Sequence, residues 1–326
     1  MSVAIWVVVA LFFAFSSGYN GSGSLVATVI STGGIGFRRA LLLAATANFV
    51  GLFLFGTAVA AVIATDLVDP AGITLAGIGA GLLAALLWSS LASFLGIPSS
   101  ASHTLIGGLI GGGIAAGGLR VVEVRGLEIL FLALVLVPGI AVVAGNLAMH
   151  FSLWLLSGAT PRINRVFRYG QLFTSILLAL SYGTSNGQRI VGIIALILFR
   201  GGVIGTFSIP TWVLVAAAAA QSLGISVGGW RVIRKVGTRF FRLRPIHGFV
   251  SQIVAAVIVL IATIFGAPVS LNQIASSAII GTGISERLSI VHWGEVEDLV
   301  VAWFATLPLT ALVAIVIYPL VHLILR

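Results

Sequence analysis

Long apolar stretches follow one another along the chain, with clear runs at 3–15, 40–64, 71–95, 127–149, 172–180, 190–226, 249–266 and 299–325. Set against roughly 30 Å of bilayer hydrocarbon, some runs hold two passes or pair with a re-entrant segment, which predicts about ten to twelve membrane elements. The polar interruptions recur in pairs. Gly96-Ile97-Pro98-Ser99-Ser100-Ala101-Ser102-His103 is matched by Gly266-Ala267-Pro268-Val269-Ser270-Leu271-Asn272-Gln273, and Ser16-Ser17-Gly18-Tyr19-Asn20-Gly21 by Ser181-Tyr182-Gly183-Thr184-Ser185-Asn186. Lipid offers no hydrogen bonds, so a backbone broken by Gly, Pro and Ser persists at membrane depth only where protein buries it or it lines a polar cavity. Such breaks in corresponding places of two halves point to a transporter's central site. Gly18, Gly21, Pro98, Gly183, Pro268 and Gln273 are read as the structural breaks. The first run lacks a basic leader and a small-residue cleavage site, so it is expected to be a retained helix.

Composition narrows the class to an all-α integral membrane protein: 59% of the 326 residues are hydrophobic and 8% charged, a mixture from which no water-soluble domain is built. The halves are 1–160 and 161–326, and neither is separable, because each leaves gapped apolar helices in need of a partner. A net charge of +9 suggests nucleic acid until the charges are located. Arg231, Arg234, Lys235, Arg239, Arg242 and Arg244 share one short loop (231–244), with smaller clusters at Arg38/Arg39 and Arg162/Arg165/Arg168. Such clusters are expected to be cytoplasmic, against anionic headgroups. The bilayer is therefore the partner, nucleic acid is not, and the setting is a multi-pass place in the plasma or inner membrane.

The absence of cysteine rules out a disulfide framework, a thiolate nucleophile and a soft-metal site, and five scattered His form no ligand set, so neither metal nor cofactor is expected. Carboxylates fall at loop or interface positions: Asp66, Asp69, Glu123, Glu128, Glu286, Glu295, Glu297 and Asp298. A relay of buried acids, the usual device of proton pumps, is thus poorly supported.

These motifs resemble the inorganic phosphate transporter (PiT) family, which carries a Gly-Ala-Asn-Asp-type segment and a Pro-Val-Ser-Thr-Thr-His-type segment in each half. Gly18-Tyr19-Asn20-Gly21 and Gly183-Thr184-Ser185-Asn186-Gly187-Gln188-Arg189 stand at the first type, and the two Pro-containing segments at the second. Trp88, Gly248-Phe249, Trp303 and Pro308 extend the likeness over nearly the whole chain. The resemblance implies two inverted repeats with broken or re-entrant helices, a homodimer, and secondary active symport of a tetrahedral oxyanion with Na⁺ or H⁺. By matched position it places the anion among Asn20, Ser100, Ser102, Thr104, Ser185, Asn186, Gln188, Arg189, Ser270 and Asn272. Arg189, at a family Lys position, is expected at the site's edge, with snorkelling to the interface as the alternative.

Four departures each remove an ionisable group: the signature Asp is Gly21 and Asn186, the second His is Gln273, and a Glu is Gln252. This puts tight Na⁺ binding and selection for a protonated anion in doubt. A site made only of donors suits sulfate, and features of the family's sulfate-permease branch, such as Ser276-Ser277-Ala278-Ile279-Ile280-Gly281-Thr282-Gly283, are similar here. Phosphate stands slightly ahead on family grounds, with proton-coupled sulfate permeation as the alternative. His103, beside the Ser cluster, is the candidate proton carrier, against a packing role; His150, His247, His292 and His322 are read as interfacial. An intramembrane serine protease is disfavoured because Asn20-Gly21-Ser22-Gly23 is one position off the needed context, so the chain is not read as an enzyme. A passive anion channel stays open, since lost cation ligands fit lost coupling.

Overall fold

The computed structural model describes residues 2–54, 56–57, 59–60, 62, 67–95, 100–160, 162–228 and 240–325. Helix is the element apolar sequence must choose in lipid, because it satisfies every backbone group internally. Through the first half run α1 (Ser2–Ser31), α2 (Phe37–Gly51), α3 (Leu75–Leu95), α4 (Ala101–Gly117) and α5 (Val124–Leu155). Through the second run α6 (Ile163–Tyr182), a π-turn (Gly183–Gly187), α7 (Gln188–Arg200), α8 (Thr211–Val227), α9 (Pro245–Ile264), α10 (Leu271–Ile284) and α11 (Trp293–Ile324). Five of these helices are long and apolar enough to cross a membrane.

Helices α4 and α10 follow the Pro-containing segments and have 17 and 14 residues. At 1.5 Å per residue they are about 26 and 21 Å long, less than the hydrocarbon thickness. The 32-residue α5 and α11 are longer than the membrane core is thick. The halves exchange these partners: α4 packs on α3 and α11, and α10 on α9 and α5. Glycine permits the crossings. A Cβ at Gly107 or Gly111 would strike the carbonyls of Leu307 and Ala311 in α11, and one at Gly281 the Val142 carbonyl in α5. Such backbone-to-backbone approach replaces the hydrophobic driving force that lipid cannot supply.

The expected breaks at Gly18, Gly21 and Gly183 are not breaks. The α1 backbone is continuous from Ser2 to Ser31, and Gly183 opens a π-turn that widens the helix without interrupting it. These glycines are contact points: a Cβ at Gly18 would overlap the Gln221 carbonyl, one at Gly21 the Tyr182 hydroxyl, and one at Gly183 the Asn48 carbonyl. Nor is Gln273 a break, since it lies in the first turn of α10 with its N–H toward Ser270 Oγ. Pro98, Asp66 and residues 231–239 of the basic loop lie outside the described residues.

His247, read as interfacial, is buried at the head of α9. Its Nδ1 accepts from the Arg244 N–H at 3.0 Å, and its Nε2 lies 2.9 Å from Glu286 Oε1, which also pairs with Arg244. This cluster ties the start of α9 to the end of α10.

Candidate functional site

The break between α9 and α10 is built residue by residue. Helix α9 ends as Gly266 turns to φ 71° and the Ala267 N–H reaches back to the Ala262 carbonyl at 2.8 Å, a Schellman closure. Pro268 cannot continue a helix, and a tight turn brings the Val269 N–H to the Ala267 carbonyl at 2.9 Å. Ser270 then caps α10, its Oγ accepting from the Gln273 N–H. The Val269 carbonyl is left outside both helices.

Ser100 does the same for α4, accepting from the His103 N–H at 3.3 Å. Its φ and ψ (−94°, 113°) nearly coincide with those of Ser270 (−96°, 116°), so the two caps are copies of one conformation. The copies meet: Ser100 Oγ donates to Ser270 Oγ at 2.8 Å. Two helix N-termini thereby converge, each with free N–H groups and the positive end of its dipole, an arrangement suited to an anion.

Arg189 completes the convergence from α7. The π-turn sets Ser185 one turn before it, and Nη2 donates to Ser185 Oγ at 2.8 Å and to the Val269 carbonyl. Nη1 donates to Ser102 Oγ and, at 3.4 Å, to Asn186 Oδ1. The side chain is 1% exposed, and among the described residues no carboxylate lies within ion-pair reach. Arg189 does not snorkel to the interface but is buried at the middle of this polar cluster. A buried unpaired charge costs several kcal/mol, and an anion relieves that cost. Among the described residues, Arg189 Nε, His103 Nδ1 and Gln273 Nε2 are buried without a protein partner, which leaves polar valence for a ligand.

The other expected residues divide. Asn186 belongs to the cluster: its Nδ2 donates to Ser17 Oγ at 2.8 Å and to the Tyr182 hydroxyl at 3.3 Å. Asn20 lies one turn beyond Ser17 on α1 and is half-buried, as is Asn272 in the first turn of α10. Thr104 faces α3, donating to the Ala101 carbonyl with Ser89 Oγ at 3.4 Å. Gln188 is engaged elsewhere: its Oε1 accepts from the Val59 N–H at 2.9 Å and its Nε2 donates to the Gly56 carbonyl at 2.8 Å, so it pins the chain after α2. Gln252, where an acid was expected, is saturated by Thr174, Thr28 and Ser175.

Ser17, Tyr182 and the Val269 carbonyl were not foreseen. All three lie inside the paired motifs, so the repeat itself was the signal that could have found them.

A family model described as the phosphate transporter family matches residues 17–314. A "Probable low-affinity inorganic phosphate transporter" of Rhizobium meliloti (strain 1021) is 37% identical over 314 residues, covering 96% of this chain and 94% of that protein. A protein of the same name from Bacillus subtilis (strain 168) is 35% identical over 322 residues, covering 98% and 96%. A solved structure described as "The sodium-dependent phosphate transporter" matches with a TM-score of 0.89 over 99% of both chains at 22% identity, a likeness of fold. These comparisons lend the sulfate alternative no support.

Proposed function

Since the chain belongs to the phosphate transporter family, we propose that it is a secondary transporter in the cell membrane that carries inorganic phosphate with a cation, binding the anion partway across where the capped ends of α4 and α10 meet Arg189. The observation that carries this reading is the pairing of two matched Ser caps at 2.8 Å beside a buried guanidinium with no carboxylate partner among the described residues. The unpartnered Arg189 Nε–H, the Ser hydroxyls and the helix N–H groups donate to the oxyanion, and the guanidinium charge attracts it.

Phosphate keeps one or two protons near neutral pH and needs an acceptor that sulfate does not. The Ser hydroxyls both donate and accept, and the Val269 carbonyl accepts only. These groups supply what the missing signature acids would have supplied, and they favour phosphate.

The short α4 and α10, embraced by long helices of the opposite half, support two inverted repeats that rock about the site. Proteoliposomes with labelled phosphate test the reading. Accumulation above the external concentration under a cation gradient, competed by excess phosphate and weakly by sulfate, is expected. Equilibration alone means a passive channel, and equal competition by sulfate removes the substrate assignment.

A further inference from the structure

The guanidinium of Arg189 is held in an unusual way for a buried cation. Its two terminal nitrogens meet four oxygens, all uncharged: Ser102 Oγ, Ser185 Oγ, Asn186 Oδ1 and the Val269 carbonyl. These come from α4, the π-turn and the α9–α10 break, so both halves contribute. Neutral oxygens converging from unwound backbone and hydroxyls are the ligand set that replaces the water shell of an alkali cation. Among the described residues there is no carboxylate in the set.

We propose that this cage is a monovalent cation site whose occupant is the protein's own Arg189, a tethered charge that does the neutralising work a bound Na⁺ would do. The inference rests on the phosphate-transport reading for its consequence in uptake, but not for the cage itself. With Nη1 and Nη2 among the four oxygens, Na⁺ would be placed against a like charge at contact distance, which both the repulsion and the loss of ligands forbid. The anion then meets a positive charge in every cycle without Na⁺ entering. A tethered charge returns with the protein and draws no energy from a gradient. Phosphate accumulation is then driven by protons carried on the anion itself, which brings no second positive charge against Arg189.

Two readouts on the full-length protein test this, with NaCl exchanged for choline chloride at constant ionic strength and pH. In detergent, the melting temperature of the wild type is expected to be the same in both salts, whereas Arg189→Ala, which opens the cage, is stabilised by Na⁺. In proteoliposomes, wild-type phosphate uptake is expected to be indifferent to Na⁺, and the residual uptake of Arg189→Ala to rise about tenfold with it, within the usual range of site coupling. Residual uptake of Arg189→Lys, which keeps the charge, stays indifferent to Na⁺.

A wild type that is stabilised by Na⁺ or needs it for uptake overturns the proposal, and that arm stands even if Arg189→Ala does not fold. A folded Arg189→Ala without any Na⁺ response also overturns it. Should no variant move phosphate, the transport reading fails while the melting experiment still decides the cage.

Discussion

Replacing Asn186 by Asp restores the acid that the family signature carries, and the structure makes its consequence calculable. Asn186 Oδ1 lies 3.4 Å from Arg189 Nη1, so the new carboxylate faces the guanidinium directly. At an effective dielectric constant near 20, opposite charges at that distance attract by about 5 kcal/mol. Desolvating the carboxylate costs several kcal/mol, and the donor to Ser17 Oγ is lost. The pair forms nonetheless, because the guanidinium is already buried and its desolvation is common to both proteins. Arg189 then no longer offers an uncompensated charge. A charge-assisted hydrogen bond contributes about 1.5–3 kcal/mol, so phosphate affinity should fall roughly tenfold to a hundredfold. Equilibrium binding of labelled phosphate to purified protein, with Asn186→Ser as the neutral control, measures it. Unchanged or tighter binding in a folded Asn186→Asp protein would refute the reasoning, because the guanidinium would then not be what holds the anion.

Gly18→Ala and Gly183→Ala place a methyl against backbone carbonyls of α8 and α2, an overpacking cost of about 1–3 kcal/mol; both should lower the yield of monodisperse protein on gel filtration, whereas Gly139→Ala, with open space around it, should not. Removing the amide of Gln188 with Ala leaves the Val59 N–H and Gly56 carbonyl without their partner, at about 1–3 kcal/mol each if they stay dry; hydrogen exchange at Val59 should speed up, and unchanged protection would show that the amide does not pin this segment. A Thr238→Cys label should be reached by membrane-impermeant reagent only from the cytoplasmic side, as six cations in its loop dictate; labelling of intact cells from outside contradicts that orientation.

What was legible in the sequence was the break at Gly266 to Ser270, because Gly, Pro and Ser there act locally: one turns left-handed, one refuses the helix and one caps the next. The same reasoning failed at Gly18 and Gly21. In water a Gly-rich polar run melts a helix, but in lipid the backbone has no other partner, and the small residues serve to let α1 approach α8 and Tyr182. Arg189 was misplaced for a related reason. A lone cation in apolar sequence normally reaches for the interface, and nothing local announces two of the four oxygens that hold this one, since Ser102 and Val269 lie far from it in the chain. Gln188 shows the converse, a polar residue inside a signature whose amide is consumed by the backbone of Gly56 and Val59. Helix ends are written in short stretches of sequence, whereas the partners of a buried polar group are set by how the halves pack.

The central claim is that the anion sits where the two Ser caps and Arg189 converge. A structure of the protein with arsenate, a tetrahedral stand-in for phosphate whose arsenic is located by anomalous scattering, tests it most directly. The account predicts an arsenic peak between the N-termini of α4 and α10, with oxygens in hydrogen-bond contact with Ser100 or Ser270 and with Arg189. Strong density at another place in the chain, with the Ser100–Ser270 bond and the Arg189 contacts unchanged, would contradict it.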